Sequence, residues 1–149
     1  MHLAAKSGNV DVLKALLTYG VNLCPTNVVK DTPLHVSIRN GHTEFSLMLI
    51  DRLIKSGVGP DQVDIENDTE KLTPYFIAVL NGMTTVADRL VSVRYAKKDR
   101  VNSLGKTIED LANEYFSTKA CTYLGLPLPD PIARRQYKQN ILRNRFERL

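Results

Sequence analysis

Two kinds of apolar pattern alternate along this chain. Val10, Val12, Leu13, Leu16 and Leu17 recur at the three-and-four spacing of a helix face and predict a helix over 10–19. A dense apolar run from Phe45 to Ile54 predicts a second over 43–56, and Val86, Leu90, Val91 and Val93 a third over 84–94. Before each lies a shorter, small-residue segment. Asp31-Thr32-Pro33-Leu34-His35-Val36-Ser37-Ile38-Arg39-Asn40-Gly41-His42 is the clearest. Asp31 or Thr32 suits an N-cap, Pro33 sits where a missing N–H costs nothing, and Gly41 reaches the left-handed conformation that ends a helix. A helix of about two turns cannot stand alone in water, so it needs neighbours like itself.

The chain supplies them by repetition. His2 to His35 and Gly8 to Gly41 are both 33 residues apart. Thr73-Pro74-Tyr75-Phe76 opens a third copy, with Thr73 nine residues before Gly82 as Thr32 is before Gly41. Thr107-Ile108-Glu109-Asp110 opens a fourth, 34 residues after Thr73. Thr-Pro-Leu-His, a small-residue helix, a Gly, a second helix and a Gly, recurring at this period, resembles the ankyrin repeat. The resemblance covers residues 1–125. It implies an all-α solenoid of helix-turn-helix repeats with hairpin fingers, divided as 1–27, 27–68, 68–101 and 102–125.

The copies are unequal. The first lacks its own Thr-Pro and preceding finger, which reads as a boundary inside a repeat and an end that should fray. The second is long: Gly41 to Gly57 is 16 residues where Gly8 to Gly20 is 12, so its second helix carries one extra turn. The remaining excess lies in a Gly-Pro loop at 58–67, read as either a neutral insertion or a feature projecting toward a partner. In the third, Phe76 replaces the signature His and trades a polar tie for packing. In the fourth, Asp110 replaces it, and polar Glu109, Asn113 and Glu114 suggest an end cap. A short helix over 117–124 closes that copy. Residues 126–149 form a Pro-containing linker and a C-terminal helix over 131–149, capped by Asp130. That helix is expected to be amphipathic and basic, with Leu142, Phe146 and Leu149 on one face.

Composition adds two constraints. No apolar run approaches the roughly 20 residues of a membrane span, and Met1 leads straight into a repeat helix, so no secretory leader is expected. The net charge of +4 sits in the tail, because residues 130–149 hold six Lys and Arg against two acids while the rest balances. Cys24 and Cys121 lie too far apart in sequence to form a metal-type pair. The expected setting is a reducing cytoplasm, nucleus or both.

Catalytic signatures are missing. No nucleophile motif, phosphate loop or paired metal ligands occur, so neither enzyme activity, cofactor nor metal is expected. His2 and His35 occupy the signature slot and His42 a turn, all read as structural.

What remains is binding. In ankyrin-like stacks the fingers and first helices form a concave face with variable positions at the finger tips and before the helix-ending Gly. Carried onto this sequence, these are Lys6 and Ser7 in the first repeat. The second contributes Val28, Val29, Asp31, Arg39 and Asn40; the third Thr69, Glu70, Leu72, Leu80 and Asn81. The fourth contributes Ser103, Leu104 and Lys106, then Glu114 and Tyr115. Val28, Val29, Leu72, Leu80 and Leu104 form an apolar seam expected to face solvent and accept a partner helix or extended peptide. Arg39, Glu70 and Lys106 set its orientation. The resemblance thus implies a non-enzymatic protein–protein interaction module, an adaptor, inhibitor or regulatory subunit, with a protein partner that the repeats do not name.

The basic tail leaves other readings open. Ile132, Leu142 and Phe146 pack it over the stack, or Arg134, Arg135, Lys138, Arg143 and Arg145 contact an acidic partner, nucleic acid or an anionic membrane. Their spread over several helix faces suits solvation better than a phosphate-tracking stripe, so nucleic acid is not the expected partner. A further alternative is the ankyrin part of a larger effector whose enzymatic region lies elsewhere.

Overall fold

The computed structural model describes residues 1–147, apart from the Phe146 side chain. It is an all-helical ankyrin-type solenoid, with ten helices and no strand among the described residues. Four helix pairs make the stack: α1 (His2–Ser7) with α2 (Val10–Thr18), α3 (Pro33–Arg39) with α4 (Thr43–Lys55), α6 (Pro74–Leu80) with α7 (Thr84–Ser92), and α8 (Ile108–Glu114) with α9 (Thr118–Leu124). A one-turn helix, α5 (Pro60–Val63), follows α4, and α10 (Pro131–Glu147) follows the last pair.

The first helices pack in a row, α1 on α3, α3 on α6 and α6 on α8, while α2, α4 and α7 form a second layer behind them. Three first helices begin alike: Thr32, Thr73 and Thr107 accept the N–H of the residue three places on. At α8 the replacement of His by Asp is explained, because Asp110 completes a capping box by accepting the Thr107 N–H at 2.9 Å. At α6 the replacement by Phe is packing, with Phe76 fully buried. Two turns that lack the expected Gly still take its conformation: Arg94 (φ 61°) and Phe116 (φ 48°) are left-handed, a strained choice for side chains with a Cβ.

The long second repeat resolves into parts. α4 has 13 residues against nine in α2 and α7, the extra turn. The Gly-Pro stretch, read above as loop, contains α5, because Pro60 is suited to a first helical turn. It is held against the third repeat rather than projecting. Val63 is buried, the Tyr95 hydroxyl donates to the Val58 carbonyl at 2.7 Å, and Arg100 grips Asp64 (2.7 Å) and Glu66 (3.3 Å).

α10 departs most from expectation. Its apolar residues are spread round the helix, so it is basic but hardly amphipathic. Ile132 and Leu142, expected to pack on the stack, are 68% and 54% exposed. Attachment comes instead from Tyr137, whose ring lies 5.1 Å from that of Phe116. Arg148 and Leu149 lie outside the described residues, as does the expected contact of the Phe146 side chain.

Candidate functional site

The finger turns are built on one device. Asn27, Asn67 and Asn102 each close a turn by accepting, through the side-chain carbonyl, two backbone N–H groups: those of Val29 and Asp31, of Glu70 and Leu72, and of Leu104 and Lys106. A left-handed residue completes each turn, Lys30 (φ 58°), Lys71 (φ 55°) or Gly105 (φ 75°). The middle finger, from Asn67 to Leu72, holds one residue more than the other two. Neighbouring fingers are stitched together by Asp68 N–H to the Val29 carbonyl (2.8 Å) and Asn102 to the Lys71 carbonyl (3.2 Å). Behind them, His35 Nδ1 accepts the Thr32 N–H at 3.1 Å, so Nε2 carries the proton and donates to the Ile65 and Leu72 carbonyls.

Between fingers and first helices lies an ionic network. Arg39 forks onto Asp31 at 2.6 and 3.1 Å and reaches Glu70 at 3.5 Å. Asn67 donates to both carboxylates. Burial alone would raise the Asp31 carboxyl, but the hydrogen bonds from Arg39 and Asn67 and the Arg39 charge outweigh it and hold the group below its ordinary value. Asp31 and Arg39 are thereby engaged within the fold, as are Lys106 and Glu114, which pair with each other.

Several expected surface residues are placed otherwise than the sequence suggested. Leu72 does not face solvent. It is 4% exposed and packs in the core, as Asp31 in the same place before the Thr cap is 5% exposed, and the neighbouring His35 binds its carbonyl. Leu80 is half-buried against the same core. The continuous apolar seam is therefore interrupted in the middle. Its ends stay open, with Val28 98% and Leu104 60% exposed; Val29 is half-buried. Asn40, Thr69, Asn81 and Ser103 are exposed, although the Ser103 N–H is held by Glu66. Lys6 and Ser7 are exposed at the far end, where His42 caps the Lys6 carbonyl at 2.9 Å.

A groove of about 400 Å³ gathers many of these positions. It is lined by Arg39, Glu70, part of Leu72, Leu80, Asn81 and Tyr115 of the repeats and by Arg134 and Lys138 of α10. The Val28 and Leu104 fingertips lie apart from it, as do Arg135, Arg143 and Arg145. Sequence reasoning missed Phe116 and Lys119, which also line the groove. The signal was present: Phe116 stands where the repeat calls for Gly and takes the left-handed conformation that Gly would.

Burial pushes the Cys24 thiol up to about 11, the wrong direction for a nucleophile, and Cys121 is fully buried. Among the described residues no cluster of three or more His, Cys, Asp or Glu is placed to hold a metal, and no helix is long and apolar enough to cross a membrane.

Comparison with known proteins gives two findings. Residues 1–60 match the family model for ankyrin repeats in three copies. Over 124 residues, 83% of its length, the chain is 23% identical to Rabankyrin-5 of Mus musculus, of which it spans only 10%. The family match ends before α6–α9, the region in which Phe76 and Asp110 replace the signature His.

Proposed function

We propose that this chain, a member of the ankyrin-repeat family, is a non-catalytic module that binds a partner protein across its fingers and first helices. Ankyrin repeats are protein-interaction modules in general; the partner face is our reading. In it, residues 1–125 form the binding unit and 126–149 an appended basic arm, working in the cytoplasm or nucleus as an adaptor, inhibitor or regulatory subunit. One observation carries it: rigid turns present side chains with no internal task. The Asn27 and Asn102 turns are fixed by paired hydrogen bonds, yet the Val28 and Leu104 they hold out are 98% and 60% exposed. Apolar groups on pre-ordered turns bind without a large ordering cost.

The test is capture from cell extract by the intact chain, by a Val28→Asp/Leu104→Asp variant and by a chain ending at Gly125. The expected outcome is a partner retained by the intact chain and weakened about tenfold or more by the fingertip variant, with its urea midpoint unchanged. Equal capture by that variant would overturn the reading. A second reading has its own support: from Lys138 to Glu147 every side chain described is exposed, and among the described residues Arg143 alone of the cations there is paired, with Glu147 at 3.0 Å. Loss of capture on truncation, with the fingertip variant normal, would move the function to that arm and its contact with an acidic protein, nucleic acid or anionic membrane.

A further inference from the structure

The groove between the repeats and α10 has an unbalanced charge. Four cations line it, and Arg39 alone has carboxylates within ion-pair distance. Lys119, Arg134 and Lys138 have none among the described residues. Arg134 is the most telling. Its Nε is shut off from water with no hydrogen-bond acceptor, a state that is costly for a donor on a cation. Lys119 is placed there by the fold: its aliphatic stem lies so close over Gly82 that a Cβ at that glycine would meet Lys119 Cδ at 2.8 Å. Leu80 and Tyr115 supply an apolar strip beside these charges.

We infer that this groove is the site for an acidic segment of a partner protein, with an Asp or Glu carboxylate received by Arg134, Lys119 and Lys138 and an adjacent apolar side chain laid against Leu80 and Tyr115. This rests on the function proposed above and names the partner's chemistry at one part of that face. Arg134 Nε is closed off, so a carboxylate would be received by the terminal N–H groups of its guanidinium, whose planar fork matches a planar carboxylate. The fit to nucleic acid is poorer on two counts. Phe116 is already packed, tilted by 44°, against Tyr137 and not free for a base, and Glu70, which also lines the groove, repels a polyanion more than a single carboxylate. The volume of about 400 Å³ suits a few side chains of a short segment rather than a helix.

The test is selection of random dodecamer peptides displayed on phage against the full chain at physiological salt. Fluorescence anisotropy then follows the enriched peptides and, in parallel, a labelled single-stranded dodecanucleotide. Enriched peptides are expected to share an acidic residue next to an apolar one. They should bind Arg134→Gln/Lys138→Gln about tenfold or more weakly, while Lys97→Gln/Lys98→Gln, with the same charge change at the α7–α8 turn, stays within about twofold. Lys119→Gln, which leaves α10 untouched, should also weaken binding and guards against mere release of that helix. No enrichment, a consensus without acids, equal loss in the control, or tighter binding of the oligonucleotide would each overturn the inference. If the captured partner binds Arg134→Gln/Lys138→Gln normally and is lost only from the Val28→Asp/Leu104→Asp variant, the general function stands and this site does not.

Discussion

His35 shows how a single side chain carries both fold and pH response. Both ring nitrogens are used: Nδ1 accepts from Thr32 and Nε2 donates to two carbonyls of the neighbouring repeat. A second proton would have to sit on Nδ1, facing the Thr32 N–H. Burial first, against the opposing pull of Asp31 and the carbonyl hydrogen bonds, takes the imidazole down from 6.5 to about 4. With the folded value below the unfolded one, the unfolded chain binds more protons through that window. Stability is therefore full above about 6.5 and falls as pH drops toward about 4. Urea unfolding at pH 7 and pH 5 should differ by about 2 kcal/mol from this group. His35→Gln should be less stable at pH 7 and flatter between the two; an unchanged slope would clear His35 of the role. The depressed Asp31 carboxyl adds a separate loss only at lower pH, below its ordinary 3.8.

At the level of elements, legibility followed the locality of the signal. Thr-Pro starts, Gly stops and apolar spacing are properties of a few adjacent residues, so α1–α4, α6 and α7 could be placed to within a residue or two. What depends on residues far apart could not be read. The packing of α5 under Tyr95 and Arg100 joins positions about 36 apart in the chain. The burial of Leu72 joins it to the core and to His35, 37 residues earlier in the chain. The attachment of α10 through Tyr137 rather than Ile132 or Leu142 depends on where Phe116 is held. The positions of the proposed binding face came from the repeat register, but the engagement of Asp31, Arg39 and Lys106 within the fold was not legible. The Asn turns yield a graded prediction. Asn67 is fully buried and serves two backbone N–H groups and two carboxylates, whereas Asn27 is exposed. Asn67→Ala should cost about 3 kcal/mol and Asn27→Ala about 1 kcal/mol by urea unfolding. Equal costs would mean that the turn bonds, not their burial, set the energy.

For the whole molecule, stability in a stack is a sum of pair and neighbour terms, so it must fall toward whichever end has an uncovered face. The alignment of repeats makes the comparison direct. Leu3 in α1 holds the place of Ile77 in α6 and Leu111 in α8; those are 4% and 2% exposed, and Leu3 is 84% exposed. Val12 in α2 holds the place of Phe45 and Val86, which are 1% and 0% exposed, and is itself 42% exposed. α1 also lacks the side-chain cap that the other three first helices have. Two hydrogen bonds offset part of this, His2 to the Asp31 carbonyl at 2.8 Å and His42 to the Lys6 carbonyl. They tie α1 to the next repeat without covering its outer side. Hydrogen exchange should then rank the helices. Amides of α3 and α6, enclosed on both sides, should exchange slowest, those of α1 and α2 at least about tenfold faster, and those of α10 beyond Lys138 fastest of all. Removing the inward tie with His2→Ala should speed exchange in α1 and leave α6 unchanged. Uniform protection from α1 to α9 would show that the repeats open only as one cooperative body, with no weaker end.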